Sequence, residues 1–248
     1  MSKGISHDAS QLIIQDLGRG PYKETLALQQ RLVQELQTEM SGLGVRGSGL
    51  GTGNPEIATH DSRLTTSVRA YLLLVEHDPP VITFGRRGPT RNLLATRERL
   101  EALGIELHEA TRGGDVTWHG VGQLVAYPII RIDTRGRSIH GYVRDLEESV
   151  IRLLAEYGIE GGRRAGMTGV WVGDEKICAI GVAVSRWVAY HGLALNVAPD
   201  LSAYELIVPC GIREYGVTSL ERLLSQELKM AEVKKRFCRC FAEVFGFA

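Results

Sequence analysis

Residues 169–197 read GVWVGDEKICAIGVAVSRWVAYHGLALNV. Val170-Trp171-Val172 turns through Gly173-Asp174-Glu175 into a run from Lys176 to Ser185, and the chain returns as Val188 to Val197. Branched and aromatic residues bounded by glycine and polar turn residues predict an antiparallel meander. Outwards from it, Leu12–Leu17, Tyr71–Glu76, Val81–Phe84, Ile105–Glu109 and Leu124–Ile130 read as further strands, the second and third joined through His77-Asp78-Pro79-Pro80. Helices lie between them. Gly20-Pro21 opens one, with Pro21 at its first position and Leu28, Leu32, Leu36 and Met40 as its buried stripe. Thr96 caps a short helix that ends at Gly104. Ser138 caps a long one closed by Gly158, with Val143, Leu146, Val150, Leu153, Leu154 and Tyr157 on one stripe. In the tail, Val233, Phe237, Phe241 and Val244 recur at helical spacing between Ala231 and Phe245. Helices mixed with mostly antiparallel strands predict an α+β fold, taken as a single domain over residues 1–248. Residues 1–10 are polar and read as frayed. The span from Ser41 to Val68 is rich in glycine and poor in large apolar groups, which predicts a long mobile insertion.

The composition excludes several classes. At 248 residues, with 44% hydrophobic and 23% charged content, the chain is long enough to bury a substantial core. Its 29 basic and 29 acidic residues balance, so nothing favours a nucleic-acid partner. There is no run of 18 apolar residues, so no membrane partner is expected. Met1 to Asp8 lacks the apolar stretch of a secretory signal, and four cysteines are too few for a disulfide framework. These features predict a cytoplasmic protein.

The densest polar segment is Thr111-Arg112-Gly113-Gly114-Asp115-Val116-Thr117-Trp118-His119-Gly120-Val121-Gly122-Gln123. Its glycines permit close backbone approach to a ligand, and their exposed amides could hold an anion or a carbonyl oxygen beside Arg112. The same composition suits a turn-rich loop between two strands. Cys210 sits in Ile207-Val208-Pro209-Cys210-Gly211-Ile212, a corner pinned by proline and glycine. A thiol there suits covalent chemistry if a nearby cation lowers its pKa, although a free cysteine is commonly a small buried hydrophobe. Lys176 is one candidate cation, and by itself a lysine at a hairpin turn is commonly a solvated charge. Cys178 lies two residues along the same strand and is expected to share its face. His191, in Tyr190-His191-Gly192-Leu193-Ala194-Leu195-Asn196, could be a site group or a satisfied core residue. Cys238 and Cys240 do not share a helix face and have no partner pair of ligands, so no metal site is expected. Gly47-Ser48-Gly49-Leu50-Gly51-Thr52-Gly53 lacks the Lys-Ser/Thr ending of a phosphate loop and follows a helix instead of a strand.

Together, Arg112-Gly113-Gly114 through Thr117-x-His119-Gly120-x-Gly122-Gln123, Lys176-Ile177-x-Ala179-Ile180-Gly181, Tyr190 to Asn196 and Val208-Pro209-Cys210-Gly211-Ile212 resemble the lipoyl(octanoyl) transferases. The resemblance runs from about Leu12 to Phe245. It implies the α+β fold of the lipoate and biotin protein ligases, Cys210 as the acyl-accepting nucleophile, and Lys176 as the group that depresses its pKa. It further implies that Arg112, Gly113, Gly114, Asp115, Val116, Thr117, Trp118 and His119, then Ala179, Ile180 and Gly181, then His191, Gly192, Leu193 and Ala194 bind the acyl substrate. No cofactor is implied, the octanoyl group arriving on the phosphopantetheine arm of acyl carrier protein. The implied acceptors are lipoyl domains of 2-oxoacid dehydrogenases and the glycine cleavage H protein. Two features depart from the family pattern: the long insertion, and Cys178 where alanine is expected. An ATP-dependent lipoate or biotin protein ligase is the alternative, distinguished by needing no cysteine. Arg86, Arg87 and Arg91 are candidates for docking an acidic carrier.

Overall fold

The computed structural model describes residues 11–43, 69–86, 92–133, 136–208 and 215–247, with side chains to residue 39 in the first segment. Cys210 and its pinned corner, Arg87, Arg91, the Met40 side chain and residues 44–68 of the expected insertion lie outside the described residues.

Strand β1 (Gln11–Gly20) leads into helix α1 (Tyr22–Leu43), then β2 (Arg69–His77) and β3 (Val81–Phe84). Helix α2 (Arg97–Ala102) and β4 (Glu106–Glu109) follow, then β5 (Val116–His119), β6 (Gln123–Arg131) and helix α3 (Ile139–Glu156). The meander is β7 (Gly162–Arg164), β8 (Met167–Val172), β9 (Glu175–Ser185) and β10 (Val188–Asn196). A 3₁₀ turn (Leu201–Leu206), β11 (Gly216–Val217), α4 (Leu220–Leu224) and α5 (Met230–Phe245) complete the chain. The large sheet has the order β1-β2-β6-β10-β9-β8-β7, with β11 paired to β9, and a second sheet has the order β4-β3-β5. Pairs β1–β2, β3–β4 and β9–β11 are parallel and the rest antiparallel, which is the α+β fold expected.

The alternation of β2 explains the layering. Ala70, Leu72 and Leu74 pack into a core with α3 and α5, whereas Tyr71, Leu73 and Val75 face α1. A strand covered on both faces must be apolar throughout, and Tyr71 to Val75 is. On α1, Leu32, Val33 and Leu36 are buried, while Leu28 is only half-buried. On α3 the stripe includes Tyr142, which meets Phe245 of α5 edge-on at 5.8 Å. Phe245, not Val244, continues the buried line of Val233, Phe237 and Phe241.

Three local features extend or change the reading from sequence. The first is at the start of the expected insertion: Ser41, Gly42 and Leu43 continue α1. Gly42 stands in the last turn, where a weak helix former costs least. The second is the Pro79-Pro80 connection, which carries the chain out of the large sheet into the small one, so β2 and β3 are not neighbours. The third is the glycine-rich segment, which contains a strand, β5, paired antiparallel to β3 from Val81↔His119 to Phe84↔Val116.

Candidate active site

A cavity lies where the small sheet meets the large one, with about 500 Å³ of unfilled space, partly open to solvent. The alternation of β5 decides which of its residues reach it. Thr117 and His119 line the cavity, while Val116 and Trp118 are buried in the core of the small sheet. Val116 and Trp118, expected from the resemblance to bind the substrate, face away from this cavity, because consecutive side chains of a strand face opposite ways. Arg112, Gly114 and Asp115 line the cavity from the segment before β5. Across it stand Ala179, Ile180 and Gly181 of β9 and His191, Gly192, Leu193 and Ala194 of β10.

Gly113 and Lys176 line a second, adjoining cleft. Gly114, Asp115, Ile180 and Gly181 line both spaces and form the wall they share. The Gly113 amide donates to the Val182 carbonyl at 2.9 Å, which fastens the glycine segment to β9.

Arg112 is buried. Its guanidinium donates to the Thr83 carbonyl at 2.7 Å, to Thr83 Oγ1 at 2.8 Å and to the Gly113 carbonyl at 3.1 Å. Room for it depends on glycine. A Cβ on Gly85 would meet the Gly114 oxygen at 2.5 Å and Arg112 Nη1 at 2.8 Å.

Three neutral imidazoles gather here, His119 and His191 in the lining and His77 behind it. A carbonyl only accepts, so His77 Nδ1–H donates to Gly20 O (3.3 Å) and Tyr127 O–H donates to His77 Nε2 (2.8 Å). His119 Nδ1 lies 2.7 Å from Gln123 Oε1, whose amide nitrogen is committed to Asn196 Oδ1 and to the Tyr204 hydroxyl. His119 is thereby the Nδ1–H tautomer, with the Nε2 lone pair as its remaining polar atom. His191 Nε2 meets Thr111 Oγ1 at 3.1 Å. Its backbone is left-handed, φ 57°, which turns its amide out of the sheet to donate to Gln29 Oε1 of α1 at 3.0 Å. A non-glycine residue held there within a strand carries strain of the kind that collects at functional sites.

Sequence reasoning missed Tyr22, Thr83, Val125 and Tyr127 in the lining, and His77 and Gln29 behind it. The available signal was slight: Tyr127 stands inside the apolar run from Leu124 to Ile130, and His77 follows Glu76 at the end of the run from Tyr71 to Val75.

The described chain on both sides of Cys210 is tied to this site. Upstream, the Val208 amide donates to the Asn92 carbonyl at 2.7 Å, and the Asn92 side-chain amide donates to the Asp115 carboxylate. Downstream, β11 pairs with β9 in the register Gly216↔Glu175 and Val217↔Lys176, and the Thr218 amide donates to the Lys176 carbonyl at 3.1 Å.

The model of the lipoyl protein ligase A/B catalytic domain matches residues 55–242. An octanoyltransferase of Rubrobacter xylanophilus is 56% identical over 71% of this chain and 79% of its own length. The chain belongs to this family. A second octanoyltransferase, from Flavobacterium johnsoniae, is 42% identical over 94% of the chain and 95% of the relative. The enzyme is accordingly an acyltransferase that moves octanoyl groups in lipoylation. Its fold matches the bipartite lipoate protein ligase of Thermoplasma acidophilum with a TM-score of 0.65 at 17% identity, over 97% of this chain and 85% of that one. No described helix is long and apolar enough to cross a membrane. Among the described residues no group of three or more His, Cys, Asp and Glu could hold a metal ion.

Within the enzyme, Cys178 does not share a face with Lys176. Val170 opposes Cys178 and Trp171 opposes Lys176, so Ile177 is an extra residue on β9 and the alternation breaks there. Cys178 faces the core, and burial pushes its thiol well above the ordinary range. Lys176 instead lines the cleft.

The buried histidines make stability depend on acid. Burial lowers His77 to about 4, His119 to about 3 and His191 to about 4. An unfolded histidine titrates near 6.5, so between pH 6.5 and about 4 the unfolded chain binds more protons than the folded one. Their contribution is fully present above pH 6.5 and is lost as pH falls towards the folded values. The melting temperature is expected to drop steadily through that window, for a total on the order of several kcal/mol. His77→Gln should flatten part of the slope. A flat wild-type profile from pH 7 to 4.5 would show that these rings are not held neutral.

Proposed function

We propose that the enzyme transfers octanoyl from the phosphopantetheine thioester of acyl carrier protein to Cys210, and from Cys210 to a lysine of a lipoyl domain. The observation that carries this reading is the pairing of Val217 with Lys176, which ties the chain leaving Cys210 to the lysine's own strand at the cleft. The cleft adjoins the cavity lined by Val125, Ile180, Leu193 and Ala194, whose apolar wall suits an aliphatic chain. At about 0.8 kcal/mol per buried methylene, an eight-carbon chain held there contributes several kcal/mol to binding.

The Cys210 thiolate attacks the thioester carbonyl, the bond to the pantetheine sulfur breaks, and that sulfur leaves and takes up the proton of the Lys176 ammonium. The acceptor lysine amine then attacks the acyl carbon, the bond to Cys210 breaks, and an amide forms. Lys176 as an ammonium favours the thiolate in the first half. As an amine it takes the proton that the attacking amine sheds in the second. Because the Gly113 N–H is committed to the Val182 carbonyl, other backbone amides of the glycine segment are the donors for the tetrahedral oxyanion. Exchange between thioesters is nearly balanced and amide formation is downhill, so neither ATP nor a cofactor is required. Arg86 and Arg97 line an adjoining surface groove and offer positive charge to an acidic carrier. The acceptor assignment follows the T. acidophilum ligase, which was described together with its E2 lipoyl domain.

Intact mass spectrometry tests the reading. Octanoyl carrier protein without ATP should add one octanoyl group to the enzyme, and a lipoyl domain should then remove it. Labelling that requires free octanoate and ATP would overturn the proposal in favour of a ligase.

A further inference from the structure

Lys176 has a flexible four-carbon stem, yet its environment limits where the ammonium can go. Nζ lies 4.7 Å from the centroid of the Trp171 ring, and Trp171 is only 4% exposed. The stem runs over Gly169, where a Cβ would stand 3.5 Å from Lys176 Cε and 2.5 Å from the Cys178 oxygen. Gly169 is fixed in turn by the buried carboxylate of Glu147, which accepts its amide at 3.1 Å.

Trp171 also touches the described chain that follows the Cys210 segment. Tyr215, the first described residue after the Cys210 segment, meets it edge-on with centroids 5.6 Å apart. The Arg164 guanidinium lies 5.2 Å from the Trp171 ring and 4.1 Å from that of Tyr215. Arg164 is paired with Asp174 in the β8–β9 turn. One indole thus adjoins the lysine, the turn before it and the chain that follows the cysteine.

We propose that Trp171 is a positioning residue: its ring face, packed against Tyr215, holds the Lys176 ammonium at the cleft. This rests on the reading of Lys176 and Cys210 as the reacting pair. The ring's negative face attracts a cation, an attraction that an aliphatic side chain of similar bulk lacks. The indole N–H has no hydrogen-bond partner among the described residues, so phenylalanine would forfeit none there.

The test compares Trp171→Phe with Trp171→Leu in single-turnover acylation by octanoyl carrier protein. Leu is expected to slow acylation by roughly tenfold or more, and Phe to stay within about threefold of wild type. The loss should fall on kcat with KM for the carrier unchanged, and the two variants should melt at similar temperatures. Wild-type acylation in Trp171→Leu, equal losses in Phe and Leu, or a loss confined to KM would each overturn the assignment. Lys176→Ala separates the two levels. If it acylates normally, the reacting pair itself is wrong; if it is inert while Trp171→Leu is normal, only the role of Trp171 falls.

Discussion

Cys210→Ala is expected to lose octanoyl transfer by about a thousandfold or more, the scale seen when a covalent nucleophile is removed. Cys178→Ala is expected to keep transfer near wild type, at about 1 kcal/mol of stability. The contrast follows from where the sulfur atoms lie. Burial pushes Cys178 far up, Cys238 to about 11 and Cys240 to about 12. None of these three thiols is appreciably ionised at neutral pH, and the thiolate is the nucleophile. Cys240 additionally points its sulfur at Glu156 at 3.1 Å, a carboxylate that opposes its ionisation further. Alkylation by iodoacetamide at pH 7 should therefore mark one site, and peptide mapping should find it at Cys210. An octanoyl adduct that persists in Cys210→Ala would move the chemistry to another residue.

The elements of the fold were legible wherever one periodicity dominated. Residues 169–197 gave β8, β9 and β10, because their branched runs are separated by turns that glycine and charge make unmistakable. Ser138 and Thr96 were readable as caps, and both side chains accept the amide three residues on. β5 was not legible, because Val116 to His119 is hemmed in by glycines and takes its strand partner from β3, more than 30 residues earlier. Pairings at that separation leave no trace in a local pattern. The site divided in the same way. The glycine segment stood out by composition and His191 was an open candidate, whereas Ala179 to Gly181 and Gly192 to Ala194 entered only through the family resemblance; the fold brings residues of all of them around one cavity. Tyr22, Thr83 and Tyr127 belong to that lining only because two sheets meet there. The break at Ile177 was hidden for a related reason: a bulge is a property of a strand pair, and β9 alone reads as an uninterrupted strand.

Gly192→Ala is expected to be the most damaging single-methyl change in the cavity wall. Gly192 faces Gly181 across the β9–β10 pair, so two glycines line the cavity side by side. A Cβ on Gly192 would stand 2.1 Å from the Ala126 carbonyl oxygen and 2.7 Å from Pro128 Cδ. Neither atom can rotate aside: one is backbone in a central strand and the other belongs to a closed ring. Relief requires β6 and β10 to separate at the point where His191 has already left the ladder. Overpacking of this kind costs about 3 kcal/mol or more, which in a chain of this size lowers the melting temperature by roughly 6–12 °C. Gly181→Ala should be milder, since its Cβ would meet Arg112 Cδ and the Gly113 oxygen at 3.0 Å, and the arginine stem can shift by a few tenths of an ångström. Gly162→Ala is the control: nothing lies within 4 Å of its Cβ, and its change should stay within about 0.5 kcal/mol. Thermal melts of the three variants give the ranking, and octanoyl transfer should fall in the same order because Gly192 and Gly181 both border the space assigned to the acyl chain. If Gly192→Ala melts like Gly162→Ala, β6 and β10 do not approach as closely as described, and the wall of the cavity is thicker than the two glycines allow.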